Sequence, residues 1–364
     1  MTASSVLSIP FEPDVVVVGA GIAGLAAATE LVAGGRRVLV LEKSHGVGGR
    51  MASRRVGEAV CDHGAQFFTV RGDAFGGMVA AAREAGAVVE WCEGFSRATA
   101  IDAAVTPAQD GHQRWRGNRG MTDLPKRLAA RLPPETCALR TAAQVTAVGV
   151  DGGRVRIAVE SGADAGVMTA VHAAAAIVTS PVPQSLALFE AGGLLAAEGG
   201  IAEGVRSQLT GVQYDPCFAL MLVLDRPSRV PPPGGIQFAA GPISWLADNL
   251  QKGVSAVPAL TLHASGEFSR RHFDDPPEEV AAILVDHARP WIDGDPATAV
   301  VERSLHRWKF ATPTTIVPAS FVAAVERPPI VCCGDAFGGP KVEGAAESGL
   351  AAGRWVMGAV AGRG

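Results

Sequence analysis

Tyrosine is almost missing from this chain. Tyr214 is the one tyrosine among 364 residues, and all aromatics together make up 5%. A substrate cage of several aromatic rings is therefore hard to build. Cysteine is also scarce: six occur, at positions 61, 92, 137, 217, 332 and 333, with no CxxC spacing. That excludes a zinc-ribbon or disulfide framework and fits a reducing compartment, so no metal site is expected. Charge of one sign is lacking too, because 32 Lys and Arg stand against 36 Asp and Glu, for a net charge of -4. A nucleic-acid binder would normally show a basic excess, so none is expected as a partner. The longest uncharged, mostly apolar run begins at Val15 and ends before Thr29, too short to cross a bilayer comfortably. The first fourteen residues have no basic region followed by an apolar core, so no secretory signal is read there. These absences together lead to an expectation of a cytoplasmic protein without a membrane partner.

What is present suits large cores. The chain is 48% apolar and only 19% charged, and its length allows two or three domain-sized units. Val15 to Val18 is a β-branched run of the kind buried on both faces of a parallel sheet. Gly19 to Gly24 follows, then an Ala/Leu-rich helix to about Val32, closed by Gly34-Gly35. Val38 to Leu41 is a second buried strand, completing a βαβ unit. Residues 74–87, 121–132, 277–287 and 344–360 read as helices. Residues 144–148 and 155–159 read as a hairpin across Asp151-Gly152-Gly153. Buried strands are expected at 173–179 and 330–333, and further strands at 218–224 and 259–263. The fold class is α/β: a Rossmann-like domain with a second, sheet-containing α+β domain. The Rossmann-like domain, expected to bind the cofactor, is discontinuous, comprising residues 1–75, 117–184 and 322–364. Residues 76–116 and 185–321 are expected to form the substrate domain.

Gly19-Ala20-Gly21-Ile22-Ala23-Gly24 matches GxGxxG in its full context. Gly19 permits the tight turn, Gly21 lets a pyrophosphate approach the backbone, and Gly24 allows helix and sheet to pack closely. The helix N-terminus at Ile22 and Ala23 offers N–H groups and a positive dipole end to phosphates. Glu42 closes the second strand, where a carboxylate can accept both ribose hydroxyls and disfavours a 2′-phosphate.

The residues after Glu42 choose between FAD and NAD. Lys43 to Met51 runs KSHGVGGRM and resembles the segment after the ribose-binding acid in the flavin amine-oxidase superfamily. That resemblance implies Lys43, Gly49, Arg50 and Met51 beside the cofactor, with Arg50 adding charge at the pyrophosphate. Gly334-Asp335-Ala336, between a strand and a helix, resembles the GD motif of the same superfamily. It implies Asp335 on a ribityl hydroxyl and Val342, Glu343 and Gly344 at the pyrimidine edge. Val145 resembles the residue that holds the adenine through its main chain.

Further segments resemble the renalases within that superfamily. They are Cys61 to Thr69 (CDHGAQFFT), Gly117 to Met121, Pro181-Val182-Pro183, Ile243-Ser244-Trp245 with Asp248-Asn249, Leu262-His263-Ala264, and His306-Arg307-Trp308. They occur in family order from about residue 14 to 356. The resemblance implies Gly64, Ala65, Gln66 and Phe67 as cofactor contacts. It implies an oxidase that takes a hydride from 2- or 6-dihydro isomers of NAD(P)H and returns it to oxygen as hydrogen peroxide. FAD supplies the chemistry, and the protein supplies stacking and orientation. Substrate-positioning residues are expected to matter more than acids or bases, with His263, Trp308, Trp245 and Arg307 as candidates. No cysteine lies between Cys217 and Cys332, so non-covalent FAD is expected. The partners are a small-molecule substrate (a dihydronicotinamide dinucleotide or an amine) and molecular oxygen. Three other readings stay open. One is an amine oxidase, in which Lys309 would hold a water near the flavin. The others are an aromatic hydroxylase and a binding scaffold without turnover.

Overall fold

The computed structural model describes residues 9–161, 168–196 and 200–361. Of the stretch read for a secretory signal, residues 1–8 lie outside the described residues. The chain divides into two units, residues 1–49, 125–213 and 313–364 in one, residues 50–124 and 214–312 in the other.

The first unit is built on a six-stranded sheet. Its order is Val322–Val325, Ile330–Cys332, Ala175–Val178, Val15–Val18, Val38–Leu41, Cys137–Arg140. All pairings are parallel except the edge pair of Val322–Val325 with Ile330–Cys332. The strands Ala175–Val178, Val15–Val18 and Val38–Leu41 are buried along their whole length. That is why they read as unbroken apolar runs and not as alternating ones. The helices Ile22–Ala33 and Val342–Ala361 pack together through glycine. A Cβ on Gly353 would stand 3.0 Å from the Ala27 carbonyl oxygen, and one on Gly349 would overlap that of Ala23. The expected hairpin is present as Ala143–Asp151 and Arg154–Ser161, with Met168–Ala173 as a third antiparallel strand.

The second unit carries a six-stranded sheet in the order Val300–Pro313, Tyr214–Leu224, Ala259–Ala264, Ile243–Asp248, Gly235–Phe238, Ser96–Ala98. One face forms a core with the helix Pro277–Ala288, through Leu220, Leu222, Leu260 and Leu262 against Val280 and Leu284. A hairpin of Ser53–Val56 and Ala59–Asp62 packs on the other face, burying Val56, Ala59 and Cys61 with Met221, Val223 and Ala259.

This division departs from the expected one at residues 50–75, 117–124, 185–213 and 313–321. Residues 50–75 and 117–124 group with the second unit, because the hairpin has its apolar partners there. Residues 185–213 and 313–321 group with the first. The helix Val182–Ala191 packs on the strand Ala143–Asp151, so closely that a Cβ on Gly192 would overlap the Val148 carbonyl. These departures are long-range packing choices, to which local patterning is blind.

Candidate active site

Two constellations carry chemistry, one in each unit. In the first unit, Gly19 has φ +104° at the end of the strand Val15–Val18, a conformation that suits glycine. A Cβ at Gly24 would overlap the Gly19 carbonyl oxygen, so this glycine serves the turn itself. Gly21 is different: a Cβ there would meet nothing within 4 Å. Gly21 is also the N-cap of the helix Ile22–Ala33 and has no side-chain capping bond. Ile22 and Ala23 are buried as that helix begins. Gly48 bridges to Gly21 and donates its N–H to the Ala20 carbonyl at 2.9 Å, so the second glycine segment lies beside the first. Gly49 sits with its Cβ direction 3.5 Å from the Gly21 Cα, and Lys43 is exposed. An open, uncapped helix end lined by two glycine turns is a cradle for a pyrophosphate.

Glu42 is buried, and its carboxylate accepts the N–H groups of Ala20 at 2.8 Å and Ser44 at 2.9 Å. Each oxygen keeps a further lone pair for a ribose hydroxyl. Gly334 donates its N–H to Ser348 Oγ at 2.9 Å, which sets the turn carrying Asp335. The final helix then begins at Val342, with Glu343 buried and a Cβ at Gly344 standing 2.5 Å from the Gly339 carbonyl oxygen. Val145 is buried in the strand Ala143–Asp151. These residues fit an FAD adenosine, pyrophosphate and ribityl chain as a donor and acceptor set.

The second constellation centres on residues 62–67. Asp62 and Lys252 form an ion pair at 2.7 Å with both side chains fully buried. Asp62 Oδ1 also accepts the Met121 N–H at 2.8 Å and the Ser53 hydroxyl at 2.5 Å. Gly120, at φ +137°, brings Met121 into reach. Burial presses the Lys252 ammonium below its ordinary range, and the Asp62 charge opposes that. Lys252 Nζ donates to Gln66 Oε1 at 3.4 Å. Gln66 Nε2 donates to the carbonyls of Asp62 at 2.6 Å and Gly64 at 3.1 Å, and lies 3.4 Å from His263 Nε2.

His263 is pushed down to a pKa of about 4, by burial first and the Lys252 charge second, with a hydrogen bond to the His63 main chain pulling slightly upward. His63 is likewise lowered to about 4, by burial and by His306 and Arg54. Trp308 donates its indole N–H to the His63 carbonyl at 2.8 Å and stacks on the His63 ring at 5.2 Å and 21°. Trp308 and His263, both singled out in the sequence, thus both border His63. Trp245 stands opposite His263 on the neighbouring strand. Its ring closes an aromatic cluster with Phe95, Trp91 and Phe67, and its buried indole nitrogen has no hydrogen-bond partner among the described residues. Ala65 donates its N–H to the Arg50 carbonyl at 2.8 Å, a Cβ on Gly64 would overlap that carbonyl, and Met51 is buried.

Arg307 and Arg50 make contacts that the sequence did not foretell. Arg307 does not join Trp308. Successive side chains of a strand point to opposite faces, so Arg307 is exposed, donating to the Phe273 carbonyl at 2.7 Å and lying over the Phe273 ring at 4.8 Å. Lys309 is on that same outward face. Arg50 directs its guanidinium to the carbonyls of Ala311 at 3.2 Å and Phe310 at 3.4 Å, a use that the glycine-rich segment did not foretell. Sequence reading also passed over Lys252, His63 and the role of Asp62. Lys252 is the one basic residue between Arg229 and Arg270 apart from His263, but a lone lysine normally reads as solvated surface. Its contact Gln66 is 186 residues away.

A Rossmann-like unit with this cradle defines a dinucleotide-binding oxidoreductase. Comparison with known proteins makes that specific. Residues 17–81 match the NAD(P)-binding Rossmann-like domain, and residues 78–357 match the flavin containing amine oxidoreductase family. The second match spans most of the chain, and the chain belongs to that family. Putrescine oxidase of Kocuria rosea is 55% identical over 58 residues, 16% of this chain and 12% of that protein. Protein anon-37Cs of Drosophila melanogaster is 44% identical over 60 residues, again 16% of this chain and 12% of that one. The chain thus aligns with only a small part of the length of these curated relatives. A solved putrescine oxidase with bound putrescine superposes with a TM-score of 0.66 at 15% identity, covering 97% of this chain and 100% of that one. This likeness shows a shared fold. Among the described residues no helix is long and apolar enough to cross a membrane, and no group of His, Cys, Asp and Glu could hold a metal ion.

Proposed function

We propose that this flavoenzyme oxidises dihydronicotinamide dinucleotides that carry the hydride at ring position 2 or 6, yielding NAD(P)+ and hydrogen peroxide. FAD, when bound, supplies the two-electron acceptor and the route to oxygen. The observation that carries the reading is the Trp308 ring, held by its N–H on the His63 carbonyl and stacked on the His63 imidazole, with two uncharged histidines beside it. His263 and His63 are both held near a pKa of about 4, so neither ring is charged at neutral pH. Loss of hydride from a dihydropyridine builds positive charge on the ring, and an imidazolium at hand would oppose it. The dihydropyridine nitrogen supplies its own lone pair, so no general base is needed. Trp308, fixed through its N–H and stacked on His63, offers a rigid flat surface to a planar ring. The ordered renalase-like segments support the same substrate class.

Amine oxidation is the second reading, favoured by a separate observation. Tyr214 and Phe310 face each other at 5.7 Å and 74°, a ring pair of the kind that can flank an amine. The relatives named for amine or putrescine oxidation point the same way. The test is stoichiometric. With a 2- or 6-dihydro isomer, each turnover consumes one oxygen and releases one peroxide. Peroxide formation with simple amines and none with the isomers would replace the first reading with the second. Fast reduction by ordinary NADPH coupled to ring hydroxylation would point to an aromatic hydroxylase.

A further inference from the structure

We propose that Gln66, clamped by the buried Lys252–Asp62 pair, is a positioning residue that fixes His263 in one tautomer, with the proton on Nδ1 and Nε2 bare. The clamp follows from the Gln66 amide. Its oxygen faces an ammonium at 3.4 Å, and its nitrogen faces the carbonyl oxygens of Asp62 at 2.6 Å and Gly64 at 3.1 Å. Turning the amide over would set NH2 against the ammonium and oxygen against two oxygens, so one orientation survives. An amide nitrogen can only donate. Its two hydrogens are directed at those two carbonyls, and a proton on His263 Nε2, 3.4 Å away, would set one N–H against another, so Nε2 stays bare and the ring proton belongs on Nδ1.

Lys252 acts a second time through its charge, which disfavours an imidazolium at His263. The groups that bear on this site are few. Lys252 faces Asp62, with Arg116 and the Cys61 thiol around the pair. His63 approaches His263 through its backbone. Lys252 also lies 4.8 Å from the Trp91 ring centroid, so an aromatic face shields its other side. Asp62 is needed to keep the ammonium buried, and three donors hold Asp62 itself in place. The chain of control runs Asp62, Lys252, Gln66, His263. It is indifferent to whether the substrate is a dihydronicotinamide or an amine, because every member belongs to this chain.

The test uses the holoenzyme, labelled with 15N-histidine, with the eight histidines resolved by two-bond nitrogen–proton correlation and His263 assigned by loss of its signal in His263→Asn. In the unaltered protein His263 should show a protonated Nδ1 and a bare Nε2, unchanged from pH 8 to 5.5. Gln66→Leu should mix the two tautomers of His263. Lys252→Met alone strands a buried carboxylate and can fail to fold. The paired variant Lys252→Met/Asp62→Asn removes both charges while leaving Oδ1 as acceptor, and should raise the His263 pKa by ~1 unit. An Nε2-protonated His263 in the unaltered enzyme would overturn the proposal. So would a single unchanged tautomer in Gln66→Leu, or an unmoved His263 pKa in the paired variant. None of these outcomes depends on the substrate, so the proposed function stands or falls separately.

Discussion

At the scale of single residues, the glycines of the phosphate turn have separable roles. A Cβ on Gly24 collides with the backbone of Gly19, whereas one on Gly21 meets no protein atom within 4 Å. Gly21→Val should therefore leave the apoprotein folded and remove FAD, because only a bound pyrophosphate contests that space. The measure is flavin absorbance per protein alongside circular dichroism, and full flavin content in Gly21→Val would contradict the assignment. Gly24→Val should instead lower stability with or without flavin.

The histidines make a pH prediction at the same scale. His263 and His63 bind a proton near pH 4 when folded, but near 6.5 in the unfolded chain. Below pH 6.5 the unfolded state then binds more protons, so stability falls as pH drops from 6.5 toward 4 and is fully present above 6.5. Each ring contributes roughly 3 kcal/mol at most across that window. Urea midpoints between pH 7 and 5, above the ordinary carboxylate range, should show the decline. A flat profile there would mean that these rings protonate freely in the folded state.

At the scale of elements, local pattern was informative wherever an element's environment is uniform. The strands Val15–Val18 and Val38–Leu41 and the helix between them stand where the apolar runs and Gly34 placed them. The hairpin across Gly152-Gly153 and the final helix were legible for the same reason. Pattern failed where partners lie far apart in sequence. Asp62 ends a short hairpin strand and reads like any strand-terminal acid. Its buried ammonium comes from Lys252, in a turn after the strand Ile243–Asp248. Period-two alternation should have separated Arg307 from Trp308, since adjacent residues of a strand cannot share a face.

Two predictions belong to these elements. Lys252→Met alone should destabilise the protein by about 3–5 kcal/mol, and adding Asp62→Asn should restore most of it. Denaturant unfolding of the single and paired variants gives that comparison, and an undamaged single variant would show that the pair is not ionised in the interior. The strand Ile330–Cys332 and the residue after it make the second. Cys332 and Cys333 are buried, and burial raises both thiols, Cys332 to about 12. Inert thiols do not form a flavin linkage. Acid precipitation should release the yellow colour into the supernatant; colour kept in the pellet would reveal a covalent bond.

At the scale of the whole molecule, one family match covers most of the chain, and the sequence motifs had already indicated the same superfamily. The finer question is which hydride donor the enzyme accepts. The most direct measurement is anaerobic rapid mixing of the holoenzyme with 2-, 4- and 6-dihydronicotinamide dinucleotides and with simple amines, following flavin bleaching. Fast bleaching is expected with the 2- or 6-dihydro isomers, and far slower bleaching with the ordinary 4-dihydro form and with amines. Fast bleaching by amines, with none by the 2- and 6-dihydro isomers, would contradict the proposed function.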